Sequence, residues 1–506
     1  MTVVSKQPPQ WTHAVVLGFV LVMALWLRLP GLAAERFHED EAIYSAWALQ
    51  SATGQDIGFD HTAIDKPPIF LALVSLAFRI AEPTEAAARW PNMIAGLLIV
   101  ALTFRLGHRL YDRRTGLLAA AVVAASPFAI AFGPTVFTDP WMVVFLLGSL
   151  EAAAAGRAEV AGLFAGLGAM TKPTAPLFLP LIVAVLLLFG TDVGRPPSDR
   201  WWPSLRRFLI GFGLVIAVGL AWDATRHQRP GFLFYGAGGY GGLSLARPAS
   251  WASRLSGWLT WLSLFTASAW LNVLAVSGIA GLLLRSIRRG SDPRILADRL
   301  LAGFIILYLL TQWVFTFHVW DRYLLGLVPL AALLLSRAFI WPPEALASRW
   351  GDRRDPRRTV AYSAAVTLFL VLAMMPQAVR ASRGGYPLGG DHGAYQGIDQ
   401  MATYLRQNVP ADSIIFHYRL RRHFAYYLFS APFDFRWYST PDSLATQATQ
   451  APGRPRFVVI PDWHDPQPVA GALTADGLRW QIAHQAHRRD GTISFTLYRI
   501  LGPSPS

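Results

Sequence analysis

Long apolar blocks separated by short polar segments fill the first three-quarters of this chain. A helix needs roughly 20 apolar residues to cross a bilayer. Blocks of about that length fall near residues 12–32, 90–110, 115–133, 140–155, 159–171, 173–190, 207–224, 258–284, 300–317, 323–341 and 359–379. The pattern predicts a polytopic α-helical membrane protein with about eleven transmembrane helices. No small-residue cleavage site follows the first block, so we expect it to be retained as a span.

The apolar segment 67–81 is the exception, because it is too short to cross comfortably and carries Arg79 near its end. We predict that it is a juxtamembrane helix lying at the interface. With this choice, the arginines at 105–114 fall on the same side as Lys6 and the later basic loops. Short basic loops are retained in the cytoplasm. The amino terminus is therefore predicted to be cytoplasmic, in the cell membrane, with the loop 33–66 outside.

The character of the chain changes after residue 380, where apolar runs become short and charges frequent. Alternation of strands and helices is typical of a small α/β domain. The sequence thus predicts two domains, a transmembrane domain at 1–380 and an extracytoplasmic α/β domain at 381–506. We expect strands at Ser413–Tyr418, Phe433–Tyr438, Phe457–Pro461 and Thr492–Ile500, and helices at Tyr395–Asn408, His423–Phe429 and Ser443–Thr449.

Composition agrees with a membrane protein and excludes several classes of site. Of the 506 residues, 53% are hydrophobic and 15% are charged, against about 25% charged in soluble domains. The formal charge of +14 comes mostly from arginines in short loops, which indicates membrane topology rather than nucleic-acid binding. The chain has no cysteine, so disulfides, thiolate metal sites and a cysteine nucleophile are excluded.

Ionisable residues gather at the predicted outer ends of several spans. Such groups are costly near a bilayer and are candidates for function. The loop 33–66 alone carries seven acidic residues. We expect the cluster to converge on one cavity at the outer leaflet; its members are Asp40, Glu41, Lys66, Asp139, Lys172, His318, Asp321 and Arg322.

This combination suits transfer of a sugar from a polyprenyl phosphate. A carboxylate accepts the proton of the attacking hydroxyl, and a cation offsets charge on the leaving phosphate. We assign the role of base to Asp40 and the phosphate contact to Lys66. Glu41 is expected to help orient either Asp40 or the acceptor. Simpler interpretations remain open at this stage: a solvated acidic loop, a snorkelling anchor at Lys66, and similar structural roles for the rest. For example, Asp139 could be a helix cap, Lys172 another anchor, and Asp321 with Arg322 a structural ion pair.

The predicted outer loop 225–257 carries four arginines and no acid. Its glycine run at 236–242 is not a P-loop, because no Gly-Lys-Ser/Thr follows. We take Arg247 as a candidate anion ligand, with contact to lipid headgroups as the alternative. No metal site is predicted, since no ligand spacing such as His-x-x-x-His occurs, although carboxylates with a distant histidine could bind a divalent cation. No other cofactor is expected.

Five motifs, in this order and sidedness, resemble those of GT-C membrane glycosyltransferases. The chain is similar to the group of protein O-mannosyltransferases and lipid A aminoarabinose transferases, and most of all to the bacterial relatives of this group, which are often labelled glycosyltransferase family 39. The resemblance covers about residues 12–345. It is carried by Asp40-Glu41-Ala42 with Tyr44, Lys66-Pro67-Pro68, Thr138-Asp139-Pro140, the run from Gly166 to Lys172, and Arg322-Tyr323-Leu324-Leu325.

The resemblance implies a GT-C fold, a polyprenyl-phosphate-linked sugar donor and an inverting single displacement. It also implies that Asp40 is the base, that Lys66 contacts the carrier phosphate, and that Asp139 lines the same cavity, where Tyr44 would contact substrate. Metal dependence is not implied by the mannosyl and aminoarabinosyl branches, although oligosaccharyl relatives use a divalent ion. Nothing in the tail matches the β-trefoil domain of eukaryotic protein mannosyltransferases, which puts a protein acceptor in doubt.

Two hypotheses follow for function. The first is a membrane glycosyltransferase that modifies an extracytoplasmic lipid, glycan or protein. The alternative is a transporter or binding protein for a lipid-linked sugar, without catalysis. Transporters more often place ionisable residues near the midplane and show inverted repeats or broken helices. This chain shows neither clearly, so the pattern favours the enzyme. The sequence does not identify the sugar, the acceptor, the length of the carrier or the oligomeric state.

Overall fold

The computed structural model describes residues 10–33, 35–190, 197–239, 244–287, 292–349, 356–389 and 393–502. Up to Ser382, these ranges are helical and contain no sheet. The helices are α1 Gln10–Arg28, α2 Glu39–Ala52, α3 Pro68–Ile80, α4 Glu85–Leu110, α5 Arg113–Ala125, α6 Pro127–Phe132, α7 Asp139–Ala154, α8 Ala158–Ala169, α9 Leu179–Phe189, α10 Pro197–Thr225, α11 Phe232–Gly239, α12 Trp251–Ser263, α13 Ala269–Ile287, α14 Pro293–Val314, α15 Leu327–Arg349 and α16 Pro356–Ser382. Short 3₁₀ turns occur at Leu29–Leu32, Ile57–Phe59, Ala175–Phe178, Pro248–Ser250 and Asp321–Leu324.

Each of the predicted apolar blocks coincides with one helix or a pair of helices. Within the described residues, five helices are long and apolar enough to cross a membrane: Ala14–Leu32, Glu85–Leu110, Trp201–Thr225, Pro293–Val314 and Ala361–Ser382. Other apolar helices are shorter, such as Ala158–Ala169 and Leu327–Ile340. The multi-pass helical architecture is therefore confirmed, while the number of about eleven crossings stays a prediction.

The block 258–284 was predicted as one helix, and the structure shows two. The helical conformation is interrupted between α12 and α13, where Ala267 has a φ of +52°. Thr266 Oγ1 donates to Asn272 Oδ1 at 2.9 Å and accepts from the backbone N–H of Ser268 at 3.3 Å. Polar side chains that bond to nearby groups in this way compete with the backbone bonds of a helix. Hydrophobicity alone does not register such a break.

Helix α3 is a short apolar helix, as predicted for the segment 67–81, and its place at the membrane interface stays a prediction. It has 13 residues, which is about 20 Å at 1.5 Å per residue. The helix that follows begins at Glu85, whose carboxylate binds Arg36 of the preceding loop at 2.7 Å. Both ends of α3 therefore lie on the same side of the bundle. As a result, α4 runs away from that side and carries Arg105 and Arg109 to its far end.

Two helices of the bundle meet almost backbone to backbone. A Cβ at Gly162 of α8 would lie 2.0 Å from the carbonyl oxygen of Phe208 in α10, and a Cβ at Gly211 would lie 2.3 Å from the oxygen of Glu159. Small residues are the usual means of such close approach in membranes, where packing rather than the hydrophobic effect holds helices together. These two glycines set the distance between α8 and α10.

The remaining part of the chain forms a five-stranded sheet with helices on both faces. Its elements are α17 Ile398–Asn408, β1 Ile414–His417, α18 Arg421–Tyr427, β2 Asp434–Trp437, α19 Pro441–Thr449, β3 Arg456–Pro461, α20 Gln467–Ala475, β4 Arg479–His487 and β5 Ile493–Leu501. The strand order is β2-β1-β3-β5-β4, with β1 parallel to both of its neighbours and β5 antiparallel to both of its own. The predicted α/β character is confirmed, whereas α20 and β4 were not predicted.

Alternation along β1 divides the core of the sheet into two layers. Ile415 packs with α17 and α18, including Leu405 and Phe424, on one face. Phe416 packs with α19 and α20, including Leu444, on the other. Since neighbouring residues of a strand point to opposite faces, a run of apolar residues is what a sheet covered on both sides requires. This arrangement places α18 on the face that meets the bundle.

Helix α18 docks onto the loop that precedes α2. Nε2 of His423 lies 3.0 Å from the carbonyl oxygen of Phe37. The hydroxyl oxygen of Tyr427 accepts from the backbone N–H of Phe37 at 3.1 Å. Tyr426 donates to the carbonyl of Pro83 at 2.9 Å. Burial lowers the pKa of His423 to about 3, so this ring is neutral at physiological pH and the contact does not depend on its charge.

We expect Gly162→Ala to destabilise the bundle by roughly 1–3 kcal/mol, because the added methyl group overlaps the backbone of α10 and forces the helices apart. Thermal unfolding in detergent measures the effect. The matched control is Gly213→Ala on α10, where an added Cβ meets nothing within 4 Å. Equal melting temperatures for the two variants would contradict the close approach.

Candidate active site

A cavity of about 550 Å³ lies where the loops after α1, α6, α8 and α14 meet helix α18. It brings together residues from eight separate stretches of the chain. Of the residues predicted for the site, those that line it are Asp40, Tyr44, Lys66, Asp139, Lys172, His318, Asp321 and Arg322. Glu41 and Arg247 were also predicted, and they lie outside this lining.

Asp40 owes its position to the way in which α2 begins. His38 is the N-cap, and its Nδ1 accepts from the backbone N–H of Asp40 at 2.9 Å. Glu41 accepts in return from the backbone N–H of His38 at 2.9 Å, which completes a capping box. Asp40 is therefore held in the first turn, where the helix dipole favours a carboxylate. Its side chain is free to point into the cavity rather than to cap the helix.

Glu41 points away from the cavity and is fully engaged by the protein. Its carboxylate accepts from the backbone N–H of Val136 at 2.8 Å and pairs with Arg89 at 3.4 Å. Both side chains of this ion pair are only 3% exposed. Glu41 was predicted to orient Asp40 or the acceptor; the structure supports an indirect role, because Glu41 fixes the start of α2 and does not line the cavity.

Two arginines hold Asp40, one on each carboxylate oxygen. Nη1 of Arg322 lies 3.0 Å from Oδ2, and Nη1 of Arg422 lies 3.0 Å from Oδ1. Burial raises the pKa of Asp40, but the attraction of Arg322, His38 and Arg422 outweighs it, and the pKa falls below its ordinary value of 3.8. Asp40 is thus ionised throughout the physiological range of pH.

Arg422 is the functional candidate that the sequence analysis missed. It belongs to α18 of the sheet region and is 382 positions away from Asp40 in the chain. The sequence signal was a group of arginines at 419, 421 and 422, and such groups usually form a solvated face. Only the docking of α18 against α2 reveals that one of the three reaches the cavity.

Asp321 serves to position its neighbour Arg322. One carboxylate oxygen accepts from the backbone N–H of Arg322 at 2.7 Å, and the other accepts from the backbone N–H of Gly389 at 2.9 Å. The guanidinium of Arg322 also lies over the rings of Trp320 and Phe137, 4.3 Å and 4.9 Å from their centroids. Such a fixed guanidinium presents its N–H groups to the cavity with little loss of side-chain freedom.

Asp139 and Lys172 form a buried ion pair at the cavity wall. Asp139 begins α7 ahead of Pro140, and Lys172 occupies the turn after α8, with side chains 1% and 3% exposed. Burial lowers the pKa of Lys172 to about 8; Asp139 opposes the change and Arg322 adds to it. The ammonium also lies 4.7 Å from the ring centroid of Tyr323. Asp139 is more than a helix cap, because its carboxylate neutralises a lysine inside the protein.

Lys66 enters the cavity from the turn that begins α3. Its ammonium pairs with the neighbouring Asp65 and lies 5.7 Å from the ring centroid of Tyr44. The side chain is 11% exposed, so Lys66 is not an extended anchor that snorkels to the surface. His318 also lines the cavity; it is exposed, and its ring stacks on that of Trp320 with the centroids 4.6 Å apart.

The arginines of the loop 225–257 have structural roles in three cases out of four. Arg226 donates to the carbonyl of Phe59 at 2.8 Å, Arg229 to that of Ala224 at 2.6 Å, and Arg254 to carbonyls at the end of α14, including that of Phe317 at 2.8 Å. Arg247 is exposed and lies outside the cavity lining. Its proposed contact with an anion stays a prediction.

One group of side chains in the described ranges has donor atoms close enough to share a metal ion. It comprises Asp60, His61 and His227, whose donor atoms lie within 4.8 Å of one another. Asp60 Oδ2 is already 2.6 Å from Nδ1 of His227, both histidines are largely exposed, and none of the three lines the cavity. A hydrogen-bonded link between the two loops accounts for the arrangement. The absence of a metal from the site stays a prediction.

Comparisons with known proteins support the fold. Residues 65–222 match the family model of dolichyl-phosphate-mannose-protein mannosyltransferases. This segment contains Lys66, Asp139 and Lys172 but not Asp40 or Arg322. It spans less than half of the chain. No curated protein sequence matches this one.

Solved structures resemble nearly the whole chain at low sequence identity. ArnT from Cupriavidus metallidurans in the apo state has a TM-score of 0.64 and 14% identity, over 97% of each chain. The same protein bound to undecaprenyl phosphate gives 0.63 and 14%, over 97% of this chain and 98% of that one. The Archaeoglobus fulgidus oligosaccharyltransferase in the apo form gives 0.55 and 13%, over 96% and 74%. The predicted resemblance to GT-C glycosyltransferases is confirmed at the level of fold.

Removing the carboxylate of Glu41 should cost much of the stability of the protein. In Glu41→Ala, Arg89 would be buried without its partner, and such a change typically costs roughly 3–5 kcal/mol. Chemical unfolding in detergent measures the loss. Glu39→Ala is the matched control, since Glu39 begins the same helix and is 39% exposed; we expect a change within about 0.5 kcal/mol. If Glu41→Ala unfolded like the control, the structural role of Glu41 would be refuted.

Proposed function

We propose that this protein is a membrane glycosyltransferase that moves a sugar from a polyprenyl-phosphate-linked donor to an acceptor by an inverting displacement. The observation that carries this proposal is the cavity in which the carboxylate of Asp40 and the cations Lys66, Arg322 and Arg422 face one another. Among the structures of similar fold, ArnT is bound to undecaprenyl phosphate, and the archaeal oligosaccharyltransferase AglB is in complex with an inhibitory peptide and a dolichol phosphate. They lend no support to the transporter alternative.

In this proposal, the hydroxyl of the acceptor lies against Asp40. As its oxygen attacks the anomeric carbon of the donor, the proton passes to the carboxylate and the bond to the phosphate breaks. The products are the glycosylated acceptor and the polyprenyl phosphate, and Asp40 later returns the proton to water. Negative charge builds on the leaving phosphate, where Lys66 and Arg322 offset it.

The low pKa of Asp40 bears on this mechanism. A carboxylate between two arginines stays ionised, yet it binds a proton weakly. A donor phosphate in the same cavity would share the N–H groups of Arg322 with Asp40 and so weaken that pair. The pKa of Asp40 would then rise when the donor binds. The site would thereby gain a stronger base at the moment when the acceptor hydroxyl must be deprotonated.

We further propose that the protein lies in the cell membrane with the cavity and the sheet region outside the cytoplasm. The cavity lies at the end of the bundle where α4 begins. Arg105 and Arg109 are near the other end of this helix, which is about 39 Å long for its 26 residues. Basic residues at membrane ends are retained in the cytoplasm. The acceptor, whether lipid, glycan or protein, would accordingly be extracytoplasmic.

Replacing Asp40 by Asn should abolish most of the transfer while leaving donor binding nearly intact. The amide keeps the shape of the side chain but cannot accept the proton, and loss of a general base typically lowers kcat by about 10²–10⁴-fold. The assay is release of undecaprenyl phosphate from undecaprenyl-phosphate mannose and from the aminoarabinose analogue, with lipid-extracted envelope as acceptor.

The control is Glu82→Gln, which removes an exposed carboxylate outside the cavity. Lys66→Ala provides the contrast, since it should weaken the binding of undecaprenyl phosphate itself by about tenfold or more. Near-native transfer by Asp40→Asn would reject Asp40 as the base. Unchanged affinity in Lys66→Ala would remove the phosphate role from Lys66.

Replacing Arg422 by Ala should make the enzyme sensitive to acid. Arg422 helps to hold the pKa of Asp40 below 3.8; without it the pKa rises, and Asp40 is protonated at higher pH. We expect the acid limb of kcat/KM, which reports the free enzyme, to lie at higher pH in Arg422→Ala than in the wild type. Arg422→Lys should restore much of the wild-type profile. Superimposable acid limbs for wild type and Arg422→Ala would contradict the pairing.

A further inference from the structure

A second concavity, of about 750 Å³, lies beside strand β2 on the other side of α18 from the cavity. We call it the β2 groove; its lining includes His417, Arg421, Phe424 and Trp437. Adjacent residues of an α-helix are turned by about 100° from each other. Arg422 therefore faces the cavity while Arg421 faces the groove, and α18 is a wall shared by both.

The floor of the groove contains a polar atom whose hydrogen bonding is incomplete. His417 ends β1, is 1% exposed, and its Nδ1 has no hydrogen-bond partner among the described residues. Its ring packs edge-on against Phe424 at 5.5 Å. Burial, with a smaller effect of Arg421, lowers the pKa of His417 to about 4, so the ring is neutral at physiological pH. A buried nitrogen of this kind is satisfied when a ligand brings a hydroxyl group to it.

Aromatic side chains form one wall of the groove. Phe433, Phe435 and Trp437 alternate along β2 and so point to the same face. Phe435 lies 6.1 Å from Phe433 and 5.4 Å from Phe424, between ring centroids. Trp437 is 56% exposed, which leaves a large flat ring open at the end of this stripe. Such a ring can stack on the apolar face of a pyranose.

Polar groups at the rim complete the chemistry. Gln50 and Gln55 contribute side-chain amides from the end of α2 and the residues that follow it, and Arg421 and Asp434 contribute one charge of each sign. Amides and opposite charges next to an aromatic surface match the hydroxyl groups and the apolar face of a sugar. Gln50 and Gln55 bond to Thr62 and Ser430, and Asp434 pairs with Arg436 and Arg454. A lipid tail would remove all of these polar groups from water, whereas a sugar keeps them in contact with hydroxyl groups.

We propose that the β2 groove binds a pyranose unit of the acceptor, and hence that the acceptor is a glycan or carries one. The proposal rests on the transferase function proposed above and extends it to the class of the acceptor. A helix is about 10 Å across, so a short oligosaccharide can pass over the end of α18. One of its sugars then occupies the groove while its reacting hydroxyl lies at Asp40. No bond is made or broken in the groove.

Binding of trisaccharides to the full-length protein in detergent tests the groove directly. The probes are mannotriose and chitotriose, and their binding is measured by saturation-transfer NMR and by calorimetry. We expect Trp437→Ala to weaken binding of at least one probe by tenfold or more and His417→Phe to weaken it several-fold. Trp463→Ala should have no effect, since Trp463 is also exposed in the sheet region but does not line the groove. Failure of both probes to bind, or equal binding by wild type and Trp437→Ala, would overturn the proposal.

Kinetics separate this proposal from the transferase function on which it rests. Trp437→Ala should raise KM for a glycan acceptor about tenfold and leave the slow hydrolysis of undecaprenyl-phosphate mannose by water unchanged. Loss of hydrolysis and transfer together would indicate damage to the cavity and would count against a separate groove. If the wild type releases no undecaprenyl phosphate while Trp437→Ala still loses trisaccharide binding, the transferase function fails and the groove remains a glycan site.

Discussion

The pairing of Asp40 with two arginines is the interaction on which the rest of the site depends. Each arginine comes from a different part of the fold, Arg322 from the turn before α15 and Arg422 from the sheet region. A buried carboxylate without such partners would take up a proton. The two guanidinium groups keep it ionised and fix the geometry of three elements at one point. Three features hold the side chains of Asp40, Arg322 and Arg422 together. They are the docking of the sheet region, the capped start of α2 and the turn at Asp321.

The start of α2 shows how neighbouring acids acquire different tasks. Glu39 is partly exposed, Asp40 faces the cavity, and Glu41 is buried against Arg89. Three consecutive positions on a helix point in three directions, so Glu39 and Asp40 line the cavity while Glu41 is turned away from it. The capping box that Glu41 forms with His38 then determines where Asp40 stands. In the proposed function, stability and chemistry are therefore divided between adjacent residues.

Much of the architecture could be predicted from the sequence because hydrophobic length is a strong signal. The apolar blocks located the bundle helices, and the sidedness of arginines singled out α3 as a helix that begins and ends on one side of the bundle. Clustering of Asp40, Lys66, Asp139, Lys172 and Arg322 followed from their common position at the ends of spans. The number of crossings did not follow with the same certainty, since several helices are shorter than a bilayer is thick.

Other features depend on tertiary contacts that a single sequence does not encode locally. Strand β4 is rich in polar residues, and at the edge of the sheet it gains its structure from pairing with β5. Nothing in the local sequence distinguishes Arg422 from Arg421. The two are adjacent on a helix, so their side chains point in different directions and enter different concavities. The role of Glu41 was likewise hidden, because its partners Arg89 and Val136 come from later segments.

Docking of α18 also has a consequence for the order of events during synthesis. The amino-terminal segments that carry Asp40, Lys66 and Lys172 leave the ribosome first, whereas Arg422 is translated hundreds of residues later. A nascent chain consequently has its membrane helices before Asp40 can be paired with both Arg322 and Arg422. Maturation of the pocket is thereby tied to completion of the polypeptide, and a truncated product would insert into the bilayer with its reactive centre still unassembled.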